Sequence, residues 1–287
     1  MKKNTQKKLN FEKMHGLGND YIFFDCLDEP IENMRDVAKK LSNRHFSIGG
    51  DGVVFICPSH MADAKMRIFK NDGSEAEMCG NAIRCVAKLM YDSGRIDKKR
   101  KKMDIGTLSG VKNIAINIKK GVVQSAKINM GKPVLDSRKI PALFGVDEVI
   151  NHEVEFDGVR CFINCVTMGS PHCVVFADSV KNFEVEKIGK IIEKDSRFPE
   201  RASIVFVEII DSKNFKMRAW ERGNGETLSC VTGACVAVVA GVLNGHCQKN
   251  EDITVELLGG NLVVNYANDT VFVTGDATHV CSGTIEF

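Results

Sequence analysis

The chain has 287 residues, of which 44% are hydrophobic and 26% charged, with a formal net charge of +2. This describes a globular protein with a sizeable core and room for two domains; it excludes disordered and fibrous classes. The near-neutral balance gives no reason to expect a nucleic-acid partner. The longest apolar run, "VAVVAGVL" from Val236, is too short to span a bilayer.

In chain order, "MKKNTQKK" carries positive charge but no apolar stretch of the kind a secretory signal needs, so it reads as a solvated tail and a cytoplasmic address is expected. "GLGND" leads into the strand-like run "YIFFD", whereas a phosphate-binding glycine loop opens a helix. Further strands are predicted at "VVFI" and "KMRIF", followed by a turn at "NDGSE". Ala82, Val86, Leu89 and Met90 then recur at helical spacing up to Gly94. "DKKRKK" from Asp97 reads as a solvated loop, and "INMGKPVLD" from Ile128 as the crossing to a second domain. Strands are predicted again at "CVVF", "SIVFV" and "FKMRAW", with a turn at "RGNGET". "GACVAVVAGVL" is apolar nearly all round, as in a helix buried inside its own domain.

Eleven cysteines without a CxxC pair predict free thiols in a reducing compartment, not a disulfide framework. Cys161, Cys165, His172 and Cys173 are near one another in sequence, but Cys161 and Cys165 lie in an apolar strand-like run and read as packing; no metal site is expected. Cys26, Cys57, Cys85, Cys235, Cys247 and Cys281 likewise read as small buried hydrophobes.

One internal offset organises the chain. "KMRIFKNDGSEAEMCGNAIRCVA" from Lys65 and "KMRAWERGNGETLSCVTGACVAV" from Lys216 superpose at a shift of 151 residues, which also lays Gly18 and Asn19 on Gly169 and Ser170, and "GVVFI" on "SIVFV". "TLSGVKNIAIN" and "LLGGNLVVN" continue the match with the register altered by one. The fold expected is α+β: two pseudo-twofold-related halves, each a mixed sheet or barrel of strands around a central helix. The domains would be 1–130 and 131–275, with a terminal strand at 276–287 returning to the first half.

The shift pairs Cys79 with Cys230, each at the opening of its central helix. Unpaired N–H groups and the helix dipole at such a position stabilise a thiolate and bind a carboxylate. Two sulfurs on opposite sides of a carbon next to a held carboxylate could invert it: one removes the proton as thiolate, the other delivers one to the opposite face as thiol. That is the chemistry of a racemase or epimerase. Glu75 and Glu226, four residues before the thiols, are expected to satisfy turn and helix-start N–H groups.

"MHGLGNDYIFFD" at Met14, "DGSEAEMCGNAIRC" at Asp72, "MGSPHCV" at Met168, "RFPERAS" at Arg197 and "ERGNGETLSCVTGAC" at Glu221 closely resemble the diaminopimelate epimerases, from about Phe11 onward. The resemblance implies two similar halves, a two-cysteine mechanism without a cofactor, and commonly a homodimer. It implies that Cys79 and Cys230 are the acid/base pair, with His172 and Glu221 assisting. Gly80, Asn81 and Thr232 would line the α-carboxylate site, and Asn19 and Arg222 would contact substrate. Four positions depart from the family pattern. Lys70 replaces a substrate-binding Asn, and Ser170 and Ser203 each stand where Asn is usual; these three belong to the pocket for the substrate's far end. Val231 replaces Gly and adds bulk beside the carboxylate site. The changes leave the reaction class intact and open a second reading, a racemase of another polar amino acid such as histidine. A third reading, from a different class, is an amino-acid-binding protein without catalysis.

Overall fold

The computed structural model describes residues 8–286; the N-terminal basic run through Lys7 lies outside the described residues. The chain divides into two compact units, 1–128 with 275–287, and 129–274. Among the described residues no helix is long and apolar enough to cross a membrane.

The first unit starts with the hairpin of β1 (Lys8–Gly16) and β2 (Asn19–Asp25). Leu17 and Gly18 form its two-residue loop, both at positive φ (53° and 84°), the geometry that matches strand twist in a tight hairpin. β2 runs parallel to β3 (Gly52–Cys57), which pairs antiparallel with β4 (Ala64–Lys70). Next come the short β5 (Glu75–Ala76), folded back on β4, and helix α2 (Gly80–Asp92). β6 (Lys102–Thr107) lies parallel to β4 and continues through β7 (Gly110–Lys119) to β8 (Val122–Gly131). α2 packs on β1, β2, β6 and β7, so the strands surround it.

The second unit repeats this path. β9 (His152–Phe156), β10 (Val159–Thr167) and β11 (Pro171–Phe176) are antiparallel neighbours, and β11 runs parallel to β12 (Ser203–Asp211). β13 (Asn214–Glu221) carries the short β14 (Gly225–Thr227), helix α4 (Val231–Leu243) follows, and β15 (Asp252–Leu257), β16 (Gly260–Ala267) and β17 (Thr270–Asp276) close the series. Residues 231 and 233–241 of α4 are all buried, as an all-round apolar helix requires.

Each unit also has an outer helix that the strand-centred sequence reading did not predict: α1 (Met34–Leu41) in the first and α3 (Val185–Glu193) in the second, again 151 residues apart. The signal was present. Val37, Ala38 and Leu41 occupy one face and seal an apolar cluster with Phe24, Phe55 and Phe69, while Val185 and Ile192 do the same over Phe206 and Trp220.

β18 (Thr278–Glu286) pairs antiparallel with β1, from Lys8 opposite Glu286 to His15 opposite Thr278. Three local expectations need correction. "INMGKPVLD" is not wholly a connector, because Ile128–Gly131 completes strand β8. Cys281 is exposed on β18, and Cys57 and Cys161 are half-buried; the other cysteines read as core are buried. The loop at Asp97–Lys102 is exposed but anchored: the Lys98 ammonium sits 4.3 Å from the Tyr91 ring centre, and Arg100 grips Asp63 with both terminal guanidinium nitrogens. All eleven cysteines are free thiols.

Candidate active site

Each unit presents a cysteine at the N-cap of its central helix. Cys79 precedes α2 with φ −141° and ψ 120°, and Cys230 precedes α4 with φ −110° and ψ 101°, the extended geometry that turns a cap side chain toward the first open N–H groups.

In the first unit the Tyr21 hydroxyl donates to Cys79 Sγ at 3.5 Å, and the thiol donates to Asn19 Oδ1 at 3.4 Å. Asn19 is itself held: its Nδ2 donates to Asp51 at 2.7 Å, and its oxygen also accepts from Asn81 Nδ2 at 3.1 Å. Because a carboxylate can only accept, Asp51 fixes the Asn19 amide with its oxygen toward the sulfur. Asn81 is held in turn by Arg84, whose Nη2 donates to Asn81 Oδ1 at 2.7 Å from a fully buried side chain. Burial pushes the Cys79 thiol up; the Ala82 and Asn81 N–H groups, the Tyr21 hydroxyl and the Arg84 charge pull it back, although neither N–H closes a capping bond. Gly80 is the buried first residue of α2. Lys70 stands apart, with an exposed side chain near Asp72 and its backbone closing a turn with Ser74.

In the second unit Cys230 Sγ accepts from the Gly233 N–H at 3.3 Å and lies 3.6 Å from Thr232 Oγ1 and 4.0 Å from His172 Nε2. The glycine allows this close seat, since a Cβ at 233 would stand 3.0 Å from the sulfur. His172 Nδ1 contacts the Ser170 carbonyl at 2.7 Å. A carbonyl only accepts, so Nδ1 carries the proton and Nε2 is a bare acceptor toward Thr232 Oγ1, 3.2 Å away. Burial lowers His172 to about 4, so the ring is neutral near pH 7. Burial and the neighbouring Glu221 carboxylate push Cys230 well above the usual thiol range, with Thr232 and the Gly233 N–H opposing. Glu221 also accepts from the Thr227 hydroxyl. Val231 is the buried first residue of α4.

Among the departures from the family pattern, Ser203 acts through its side chain, whereas Ser170 offers its backbone carbonyl to His172 and Thr167. The Ser203 hydroxyl accepts from the Arg222 N–H at 3.1 Å, while Arg222 Nη1 donates to the Glu200 carbonyl at 2.8 Å. The buried Glu193 carboxylate supports the same loop through the Gly223 N–H and Trp220 Nε1. Glu75 and Glu226 do not cap the helices as expected. They are gripped by Arg67 (2.8 and 2.8 Å) and Arg218 (2.6 and 2.9 Å), one ion pair in each copy.

Sequence reading missed Tyr21, Asp51, Arg84 and Glu193 as contributors. The repeat held one clue, since Tyr21 lies 151 residues before His172. Among the described residues no group of three or more His, Cys, Asp or Glu side chains is arranged to hold a metal ion.

The diaminopimelate epimerase family model matches residues 11–135 and 164–280. The chain belongs to the diaminopimelate epimerase family. It is 47% identical to the diaminopimelate epimerase of Acetivibrio thermocellus over 280 residues, covering 97% of this chain and 99% of that one. A Methanococcus maripaludis diaminopimelate epimerase is 46% identical over 280 residues, with 97% and 100% covered. Both Cys79 and Cys230 fall within the stretches the family model matches. The fold is shared more widely. A phenazine biosynthesis protein of the PhzF family from Bacillus anthracis superposes with a TM-score of 0.71 at 18% identity, covering 98% of this chain and all of that one. A hydroxyproline epimerase from Agrobacterium vitis superposes at 0.70 with 12% identity, covering 98% and 91%. The expected α+β class, strands around a central helix in each half, is the fold observed.

Proposed function

We propose that the protein is a diaminopimelate epimerase that converts LL-diaminopimelate to the meso form, a step in making lysine and peptidoglycan precursors in the cytoplasm. One observation carries the reading: each copy of the repeat caps its central helix with a cysteine whose sulfur is surrounded by proton donors and acceptors. The family match over nearly the whole chain supports the substrate.

In this reading the two sulfurs address opposite faces of one α-carbon. The thiolate takes the α-proton, and the electron pair left on carbon delocalises into the α-carboxylate. Backbone N–H groups at the starts of α2 and α4, including those of Gly80, Asn81 and Thr232, receive that charge. The opposite thiol then gives its proton to the other face, so the centre inverts and the two sulfurs exchange protonation states. Both proton transfers are made by side chains of this chain, and the reaction calls for no cofactor. His172 and Glu221 hold the environment of Cys230. Asn19 orients Cys79. Arg222 binds the substrate from a loop fixed by Ser203, with Ser170 as a further member of the far-end pocket; Lys70, exposed beside Asp72, is not assigned to it.

The test is incubation of LL-diaminopimelate, and of a panel of other amino acids including histidine, in deuterated water with chiral separation. Appearance of meso-diaminopimelate deuterated at the inverted carbon is expected. Turnover of another amino acid without diaminopimelate would overturn the substrate; an unexchanged α-hydrogen in every compound would overturn the enzyme.

A further inference from the structure

The two copies put different side chains at the same place beside their cysteines. Position 21 in the first unit and position 172 in the second are related by the 151-residue shift that also relates Cys79 to Cys230. Both open a parallel strand pairing, β2 with β3 in the first unit and β11 with β12 in the second, with Tyr21 opposite Gly52 and His172 opposite Ser203. Both aim a polar side-chain atom at the local sulfur, at 3.5 Å for the Tyr21 hydroxyl and 4.0 Å for His172 Nε2.

The chemistry of these atoms is opposite. With its Nδ1 proton committed to the Ser170 carbonyl, His172 shows Cys230 a lone pair, which suits an S–H. Tyr21 shows Cys79 an O–H, which suits a sulfur bearing negative charge. Tyr21 is 8% exposed, and burial together with the Cys79 charge keeps its phenol protonated across the working pH range.

We propose that Tyr21 is a positioning residue, the first unit's counterpart of His172: its hydroxyl orients the Cys79 sulfur and favours its thiolate, so positions 21 and 172 give the two cysteines opposite proton preferences. The assignment rests on the two-thiol reading above and adds to it a residue that acts through Cys79 rather than on substrate. Other groups around Cys79 act from separate elements. Arg84 on α2 lowers its pKa, the Asn19 oxygen on β2 accepts its proton, and Asp51, before β3, holds Asn19. Tyr21 is therefore the neutral side-chain donor in the set, and its hydroxyl can be removed without changing any charge.

The experiment follows the alkylation rate of each cysteine by iodoacetamide against pH, resolved by peptide mass spectrometry, in the full chain and its Tyr21→Phe variant. No substrate is needed, so the outcome is independent of whether diaminopimelate is turned over. Loss of one charge-assisted hydrogen bond should move the Cys79 midpoint upward by about one pH unit. Cys85 and Cys235, both fully buried, should stay unlabelled and report intact packing. A second preparation carries 3-fluorotyrosine at all three tyrosines, which strengthens the phenol as a donor at nearly unchanged shape, and its Cys79 midpoint should move downward. A Cys79 midpoint unmoved in Tyr21→Phe overturns the proposal. If Cys85 or Cys235 is labelled in that variant, the fluorotyrosine protein decides: a downward shift supports the role, and none overturns it.

Discussion

The two copies of the repeat use one backbone plan to build unlike surroundings for their cysteines. In the first unit position 82 is alanine, Cys79 closes no capping bond, and side chains of β2 serve the sulfur. In the second the corresponding residue is Gly233, the sulfur drops onto its N–H, and a carboxylate and a neutral imidazole stand nearby. The 151-residue offset relates the positions, and the residues at a few of them differ between the copies. A reaction that runs in both directions needs two sulfurs that can trade roles, but at rest they must not both be ionised.

The sharpest way to break this comparison is to remove one sulfur at a time. Cys79→Ala and Cys230→Ala should each lower inversion by about a thousandfold or more, the scale of a lost general acid or base. Each variant should still exchange deuterium from the one stereoisomer whose α-hydrogen meets the remaining thiol, as proton NMR in deuterated water would show. Full inversion in either variant would refute the assigned pair.

A smaller effect belongs to the second unit alone. His172 has a folded pKa of about 4, while the unfolded chain binds that proton near 6.5. Stability contributed by keeping the ring neutral is therefore present above pH 6.5 and is lost as pH falls toward 4, by up to about 3 kcal/mol. His172→Gln should flatten that part of the stability–pH curve in urea titrations, while Tyr21→Phe should not.

The smallest contrast lies in the paired arginines. Arg218 donates to the Val180 and Phe183 carbonyls as well as to Glu226, and its side chain is 19% exposed against 35% for Arg67. Glu226→Gln should cost about 1 kcal/mol in urea unfolding and Glu75→Gln about half that. Equal losses would mean that the two ion pairs contribute alike despite their different burial.

Much of this plan could be read from the residues. Lys-Met-Arg before each turn and Cys after it fixed the offset, and the offset located both central helices and both thiols. The outer helices escaped because α1 is short and charged, with only Val37, Ala38 and Leu41 turned to the core. Glu75 and Glu226 were misassigned because a sequence does not say that the arginine eight residues earlier returns beside them across a hairpin. Tyr21 was passed over as one aromatic in an apolar strand; what singles it out is where its hydroxyl ends up. Asp51 and Glu193 are similar cases, carboxylates whose partners lie 32 and 27 residues away in the chain.

The pairing of β18 with β1 has a consequence for biosynthesis. The second unit is one continuous stretch, whereas the first needs a strand translated after all of the second. During synthesis the outer edge of β1 stays unpaired until Thr278–Glu286 emerges, after the whole of the second unit has been made.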